Sequence, residues 1–240
     1  VLPSTMPCGN HDLTAAVFLN GRIYVAGGAI WWRGYPACHH MFDELWEFDP
    51  CKLDSADAWR VVCNLPGPIA YNGIAALGSK LFLVGGCTCL DDIPNRRVDH
   101  GQLLVLDPET GICERGPDMA VARQECGAAG LGGRVYAFGW DPSVESIAAG
   151  ELYWRPEAPC PVKLGGKGAG QFGLCTHGDT AFLAGPFGLL SFSPARGWES
   201  LPACPRSGAA PLMAAHRDQI WVMGGFFHDP APGRMCRLER

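Results

Sequence analysis

The side chains able to do chemistry in this 240-residue chain are twelve cysteines and a scattered set of arginines, histidines and aromatics. The thiols stand at positions 8, 38, 51, 63, 87, 89, 113, 126, 160, 175, 204 and 236. Cys38-His39-His40 and Cys87-X-Cys89 offer thiolate and imidazole donors, which suit zinc. Their spacing matches no common zinc pattern, and adjacent loop residues rarely converge on one ion, so no metal site is expected. A Cys/His nucleophilic pair would need an elbow or triad motif, and neither is present. The expectation is a non-enzyme without a cofactor.

An even cysteine count suits the disulfide framework of a small secreted domain. This chain is long enough for its own core, its cysteine spacing does not recur, and it has no Asn-X-Ser/Thr sequence. Reduced thiols in the cytoplasm are therefore expected. Cys87 or Cys89, in one long loop with Arg96 and Arg97, is the expected low-pKa thiol. No apolar run approaches the roughly 20 residues that span a bilayer. The opening Val1-Leu2-Pro3-Ser4-Thr5 lacks the basic and apolar regions of a signal peptide. A net charge of −5 argues against general nucleic-acid binding.

Binding chemistry is better represented. Trp, Tyr and Arg dominate binding hot spots, and here they gather in Trp31-Trp32-Arg33, Arg96-Arg97, Trp140 and the neighbouring Phe227-His228. Arg123 and Arg206 add two more cations. Guanidinium groups pair bidentately with carboxylates, so arginines brought to one rim of an acidic protein would favour an acidic or phosphorylated segment. The structural alternatives are that Trp31 and Trp32 fold a loop back onto the scaffold, Phe227 joins the core, and Arg96-Arg97 is a solvated tip.

Five apolar tetrads ending in glycine must position these residues: 23–26, 81–84, 135–138, 181–184 and 220–223, running into Gly27, Gly85, Gly139, Gly185 and Gly224. The glycines are 58, 54, 46 and 39 residues apart. A spacing near 50 with strand signals indicates a propeller, since helical solenoids repeat at roughly 33 to 47. Turn pairs precede each tetrad (Asn20-Gly21, Gly78-Ser79, Gly132-Gly133, Gly178-Asp179, Arg217-Asp218), marking tight hairpins. The Ala- and Gly-rich segments 13–19, 73–77, 126–131, 172–177 and 209–215 are then innermost strands, where sheets crowd one axis.

Third strands are expected at 44–48, 102–106, 151–155, 189–192 and 235–238. Four of them stop at Asp49-Pro50, Asp107-Pro108, Arg155-Pro156 and Ser193-Pro194, since proline cannot donate to the ladder. Fourth strands are clearest at 59–65 and 198–201, closing on Leu65-Pro66 and Leu201-Pro202. Val1-Leu2-Pro3 matches that ending, so the N-terminus is expected to complete the C-terminal blade and close the ring. The fold class is thus all-β, a single domain over 1–240 with five blades of four antiparallel strands.

The ordered set of strand, double glycine (Gly27-Gly28, Gly85-Gly86, Gly224-Gly225), strand ending in Asp-Pro, Trp59 or Trp198, and Leu-Pro resembles the Kelch repeat. Blade 3 departs with Gly139-Trp140 and blade 4 with Gly185-Pro186, and blade 2 has Cys113 near the expected Trp. The resemblance is to the Kelch domain of BTB–Kelch proteins. It implies a protein-interaction module: the substrate-recognition part of a cullin–RING ubiquitin ligase adaptor, reaching the cullin through a BTB domain not on this chain. It implies a binding face made of the loops after the double glycines (29–43, 87–101, 140–149, 186–188, 226–234). The blade-joining loops 3–10, 66–72, 117–124, 165–171 and 202–207 complete that face. Trp31, Trp32, Arg33, Arg96, Arg97, Arg123, Trp140, Arg206, Phe227 and His228 fall there. Two other readings stand beside it: a sugar-binding lectin, against which the loops all differ, and a redox sensor using a low-pKa cysteine.

Overall fold

Every apolar tetrad forms the second strand of an antiparallel sheet, hairpinned to the small-residue strand before it. The computed structural model describes residues 15–30, 40–89, 97–139, 141–164, 172–202 and 208–225. Blade 1 runs β1 (Ala15–Leu19), β2 (Arg22–Ala26), a ribbon of β3 (Ala29–Ile30) and β4 (His40–Met41), then β5 (Glu44–Phe48) and β6 (Trp59–Asn64). Blade 2 runs β7 (Ala70–Leu77), β8 (Lys80–Cys89), β9 (Arg97–Asp99), β10 (Leu103–Asp107) and β11 (Ile112–Arg115). Blade 3 holds β12 (Gly127–Leu131), β13 (Arg134–Phe138), β14 (Val144–Ala148) and β15 (Arg155–Glu157). Blade 4 holds β16 (Gly173–His177), β17 (Thr180–Gly185), β18 (Gly188–Ser193) and β19 (Gly197–Ser200). The hairpin β20 (Leu212–His216) and β21 (Gln219–Met223) begins a fifth.

Blades 1, 3 and 4 are four-stranded sheets in chain order, and blade 2 adds β9 beside β8. The third strand expected at 235–238 and the closing strand at 1–3 lie outside the described residues.

In blades 2 and 3 the tetrads are apolar throughout because both faces of the blade are covered, whereas in the fifth Trp221 and Met223 stay half-exposed among the described residues. Leu81 and Leu83 of β8 pack towards blade 1, against Leu19, Tyr24 and Leu45. Phe82 and Val84, one step along, pack towards blade 3 against Val135, Ala137 and Ile147. In the same way Tyr136 and Phe138 of β13 turn to Leu183 and Phe192 of blade 4. Side chains alternate across a strand, so one tetrad serves two interfaces. Burial of each such side chain stabilises the ring by about 1.5–3 kcal/mol.

Glycine is required where backbones meet. A Cβ on Gly130 of β12 would sit 2.2 Å from the Ala76 carbonyl oxygen of β7. Gly27, at φ +63°, has room for no Cβ either, since Ile69 O lies 2.3 Å from where it would be.

Blade 3 departs from the sequence expectation. Its third strand is β14, not 151–155, and Arg155-Pro156 lies in the outer strand β15, Pro156 standing opposite Glu145. Proline tolerates an edge strand because no further ladder needs its missing N–H. Trp154 is consequently this blade's counterpart of Trp198. The indole Nε1 of Trp154 donates to Pro117 O of blade 2 at 2.9 Å, and that of Trp198 to Ala158 O of blade 3 at 3.1 Å. In blade 1, Trp59 packs on Phe48, ring centroids 4.7 Å apart.

Candidate functional site

The double glycines tie the end of each second strand to the loop that opens the next blade. Gly28 N donates to Ile69 O at 2.8 Å, and Gly86 N to Arg123 O at 2.9 Å. Ile69 N in turn donates to Phe42 O, and Arg123 N to His100 O. The same backbone bonds therefore recur one blade apart and bring the two kinds of loop of blades 1 and 2 to one face.

That face is uneven. In blade 2 the strand overruns Gly85-Gly86 to Cys89 and pairs with β9, while blade 1 carries the ribbon β3–β4. The two rises are joined: Met41 packs against Ala29, Ala70, Tyr71 and Cys87, and Cys89 N donates to Met41 Sδ at 3.4 Å. Blade 4 crosses from second to third strand in two residues, Pro186 and Phe187, and blade 3 in five. Among the described residues, a wall over blades 1 and 2 thus borders a low floor over blades 3 and 4.

At the foot of the wall lies the mouth of the central channel, a cavity of about 380 Å³ walled by the inner strands β1, β7, β12, β16 and β20. Tyr71, Asn72, Glu125 and Cys126 line it. Arg97 lies over Tyr71 with its guanidinium carbon 4.5 Å from the ring centroid, and its Nη1 donates to Gln124 Oε1 at 3.2 Å. Such a cation–π stack is worth about 0.5–2 kcal/mol and holds the guanidinium in place. Burial pushes the Tyr71 hydroxyl up to about 12 against the opposing pull of Arg97, so it stays protonated. Asn72 is almost fully buried and donates from Nδ2 to Ala26 O at 3.4 Å, while its Oδ1 accepts no hydrogen bond among the described residues.

Two sequence expectations need correction. Arg123 is not a surface cation: its side chain is wholly buried and ion-paired with Glu145 of β14. Its Nη1 donates to Ser143 O at 2.8 Å and its Nη2 to Ser143 Oγ at 3.2 Å. The Glu145 carboxylate also accepts from the amides of Ala120 and Val121 at 2.8 and 3.3 Å. Arg123 therefore fastens a blade-joining loop. Nor is Cys87 a low-pKa thiol; it is buried in blade 2, and desolvation pushes it up to about 12 although Arg97 pulls the other way.

Of the other expected site residues, Arg97 is placed over Tyr71, which lines the channel mouth. Trp31, Trp32, Arg33, Arg96, Trp140, Arg206, Phe227 and His228 lie outside the described residues. Tyr71 and Gln124, which hold Arg97, carry no motif of their own; their signal is position, at the start of a blade. Arg22 and Arg134 lie at the opposite end of the blades, paired with Asp49 at 3.1 Å and Glu151 at 2.8 Å. Among the described residues, Cys51, Cys63, Cys87, Cys113, Cys126, Cys160 and Cys175 are free thiols. Among the described residues no group of three or more His, Cys, Asp or Glu is placed to hold a metal, and no helix is long and apolar enough to cross a membrane.

No family model matches the chain. It is 33% identical over 135 residues to Kelch repeat and BTB domain-containing protein 12 of Danio rerio, covering 54% of this chain and 20% of that protein. It is 34% identical over 113 residues to Kelch repeat and BTB domain-containing protein 13 of Homo sapiens, covering 46% of this chain and 23% of that protein. The chain thus spans about a fifth of the length of the curated relatives it matches. The solved structure of YjhT superposes with a TM-score of 0.70 at 12% identity, over 91% of this chain and 73% of that one, a likeness of fold alone. Homologues of this chain are therefore Kelch repeat and BTB domain-containing proteins, and its fold is a Kelch-type β-propeller.

Proposed function

We propose that this propeller is a protein-interaction module that binds a short acidic segment of a partner on its loop face, with no chemistry of its own. The observation that carries this reading is the wall over blades 1 and 2 with Arg97 stacked on Tyr71, a residue lining the channel mouth. A segment lying on the low floor would abut the wall and present a carboxylate to that guanidinium. Arg33, Arg96 and Arg206 would extend the cationic rim, and Trp31, Trp32, Trp140, Phe227 and His228 would supply apolar and stacking anchors. Its BTB-bearing relatives support a role as the substrate-recognition part of a cytoplasmic cullin–RING ubiquitin ligase adaptor, with the cullin engaged through a BTB domain outside this chain.

The test is capture of partners from lysate by the 240-residue chain, followed by titration of the bound segment. A hydrogen bond to a charged group is worth about 1.5–3 kcal/mol, so Arg97→Ala should weaken binding roughly 10- to 150-fold. Arg134→Ala, at the far end of blade 3, should leave it within about twofold, since surface ion pairs contribute little. Equal affinity of the parent and a folded Arg97→Ala variant would refute the reading, as would binding to glycans with no protein partner.

A further inference from the structure

The indole bolts between blades have a thiol substitute between blades 1 and 2. In blade 4, Trp198 stands opposite Phe192, which itself pairs with Ala181. The corresponding chain in blade 2 is Cys113 opposite Leu106, which pairs with Leu81. Cys113 therefore occupies the tryptophan position. Its target position is also a cysteine. The carbonyls that receive the indoles, Pro117 and Ala158, each lie two residues before an amide that bonds back to its own blade, Met119 N to Gly101 O and Cys160 N to Pro142 O. The matching amide of blade 1 is Leu65 N, which donates to Asp43 O, and two residues before it is Cys63.

The two strands are close at this point. A Cβ on Gly111, two residues before Cys113, would lie 3.1 Å from Val62 O and 4.0 Å from Cys63 Cβ. Both thiols are half-buried against the core shared by blades 1 and 2, and both are free.

We infer that Cys63 and Cys113 form a modification site, a thiol pair that small disulfide oxidants convert into a cross-link between the outer strands of blades 1 and 2. One cysteine loses its proton, and its thiolate attacks a sulfur of oxidised glutathione, releasing one glutathione thiolate. The second cysteine, deprotonated in turn, attacks the protein sulfur of that mixed disulfide and releases the other glutathione. Two protein thiols and one disulfide thus become one protein disulfide and two glutathione thiols, with two electrons passing to glutathione. Burial first, and then the neighbouring Cys113, pushes the Cys63 thiol up to about 11, and burial raises Cys113. The pair therefore reacts slowly at neutral pH. Thiolate is the attacking species, so the initial rate should rise about tenfold per pH unit from pH 7 to pH 9.

The experiment treats the folded 240-residue chain with oxidised glutathione, caps the remaining thiols, digests without reduction and identifies linked peptides by mass spectrometry. The expected product joins the Cys63 and Cys113 peptides and is absent from Cys63→Ser and from Cys113→Ala. The second variant guards against misfolding of the first. Full capping of Cys63 and Cys113 under conditions that oxidise the exposed Cys51 would overturn the inference, as would cross-links made only between other cysteines.

Discussion

Replacing Arg123 with isoleucine asks whether a buried ion pair fastens blades 2 and 3. Ile69 makes the same backbone bonds one blade earlier, so isoleucine is known to suit that backbone setting. Likewise Glu145 pairs with Ala137 at the step where Trp46 pairs with Val25 and Leu104 with Leu83. The single change leaves the Glu145 carboxylate buried with only two amide donors, from Ala120 and Val121. Removing one partner of a buried pair costs about 3–5 kcal/mol. For a domain of this size that lowers the unfolding temperature by about 6–20 °C, at roughly 2–4 °C per kcal/mol. The double change Arg123→Ile with Glu145→Leu installs the apolar pairing of the preceding blade and should recover most of the loss, because buried ion pairs exchange for hydrophobic pairs near neutrality. Thermal unfolding followed by circular dichroism on parent, both single variants and the double variant measures the coupling. An Arg123→Ile protein that melts within about 1 °C of the parent would refute the reasoning.

Native-state labelling should leave Cys87 unreacted while the exposed Cys51 is alkylated, since a thiol pushed up to about 12 is ionised at pH 8 in roughly one molecule in 10⁴; rapid labelling of Cys87, read by peptide mass spectrometry, would contradict its burial. Burial alone would raise the Glu47 carboxyl, but hydrogen bonds from Arg60 at 2.8 and 2.7 Å and from Tyr24 at 3.0 Å hold it below its ordinary 4.5. A carboxyl depressed on folding contributes stability above its unfolded pKa and loses it as pH falls through the folded one. The parent should therefore lose more stability than Glu47→Gln on acidification below about pH 4.5, and coincident unfolding curves across that range would exclude the effect.

What was legible in the sequence is what local chemistry determines. Asn20-Gly21 adopts φ +50° and +80° because few other pairs tolerate that turn, so the hairpins could be read directly. The tetrads of blades 2 and 3 were legible because two-sided burial leaves no polar position in them. Arg155-Pro156 misled, since proline is equally at home ending a strand and lying on an edge, and only pairing with Glu145 separates the two. Arg123 was misplaced for a similar reason: an arginine at a blade entrance points outward or inward according to whether a carboxylate waits inside, and Glu145 sits 22 residues away. The rise of β8 past its double glycine depends on pairing with β9, which no local pattern announces.

A ring of near-repeats offers an incoming ligand several angular settings of almost equal merit. For a ligand on that face, the ribbons over blades 1 and 2 would break that degeneracy, as an index mark does on a dial. Under the proposed function, a segment laid across the floor would have one azimuth in which its end meets the wall and Arg97. Differences in loop length between blades would therefore carry directional information, which shortening the β8–β9 crossing beyond Cys87 and Asp99 would reduce.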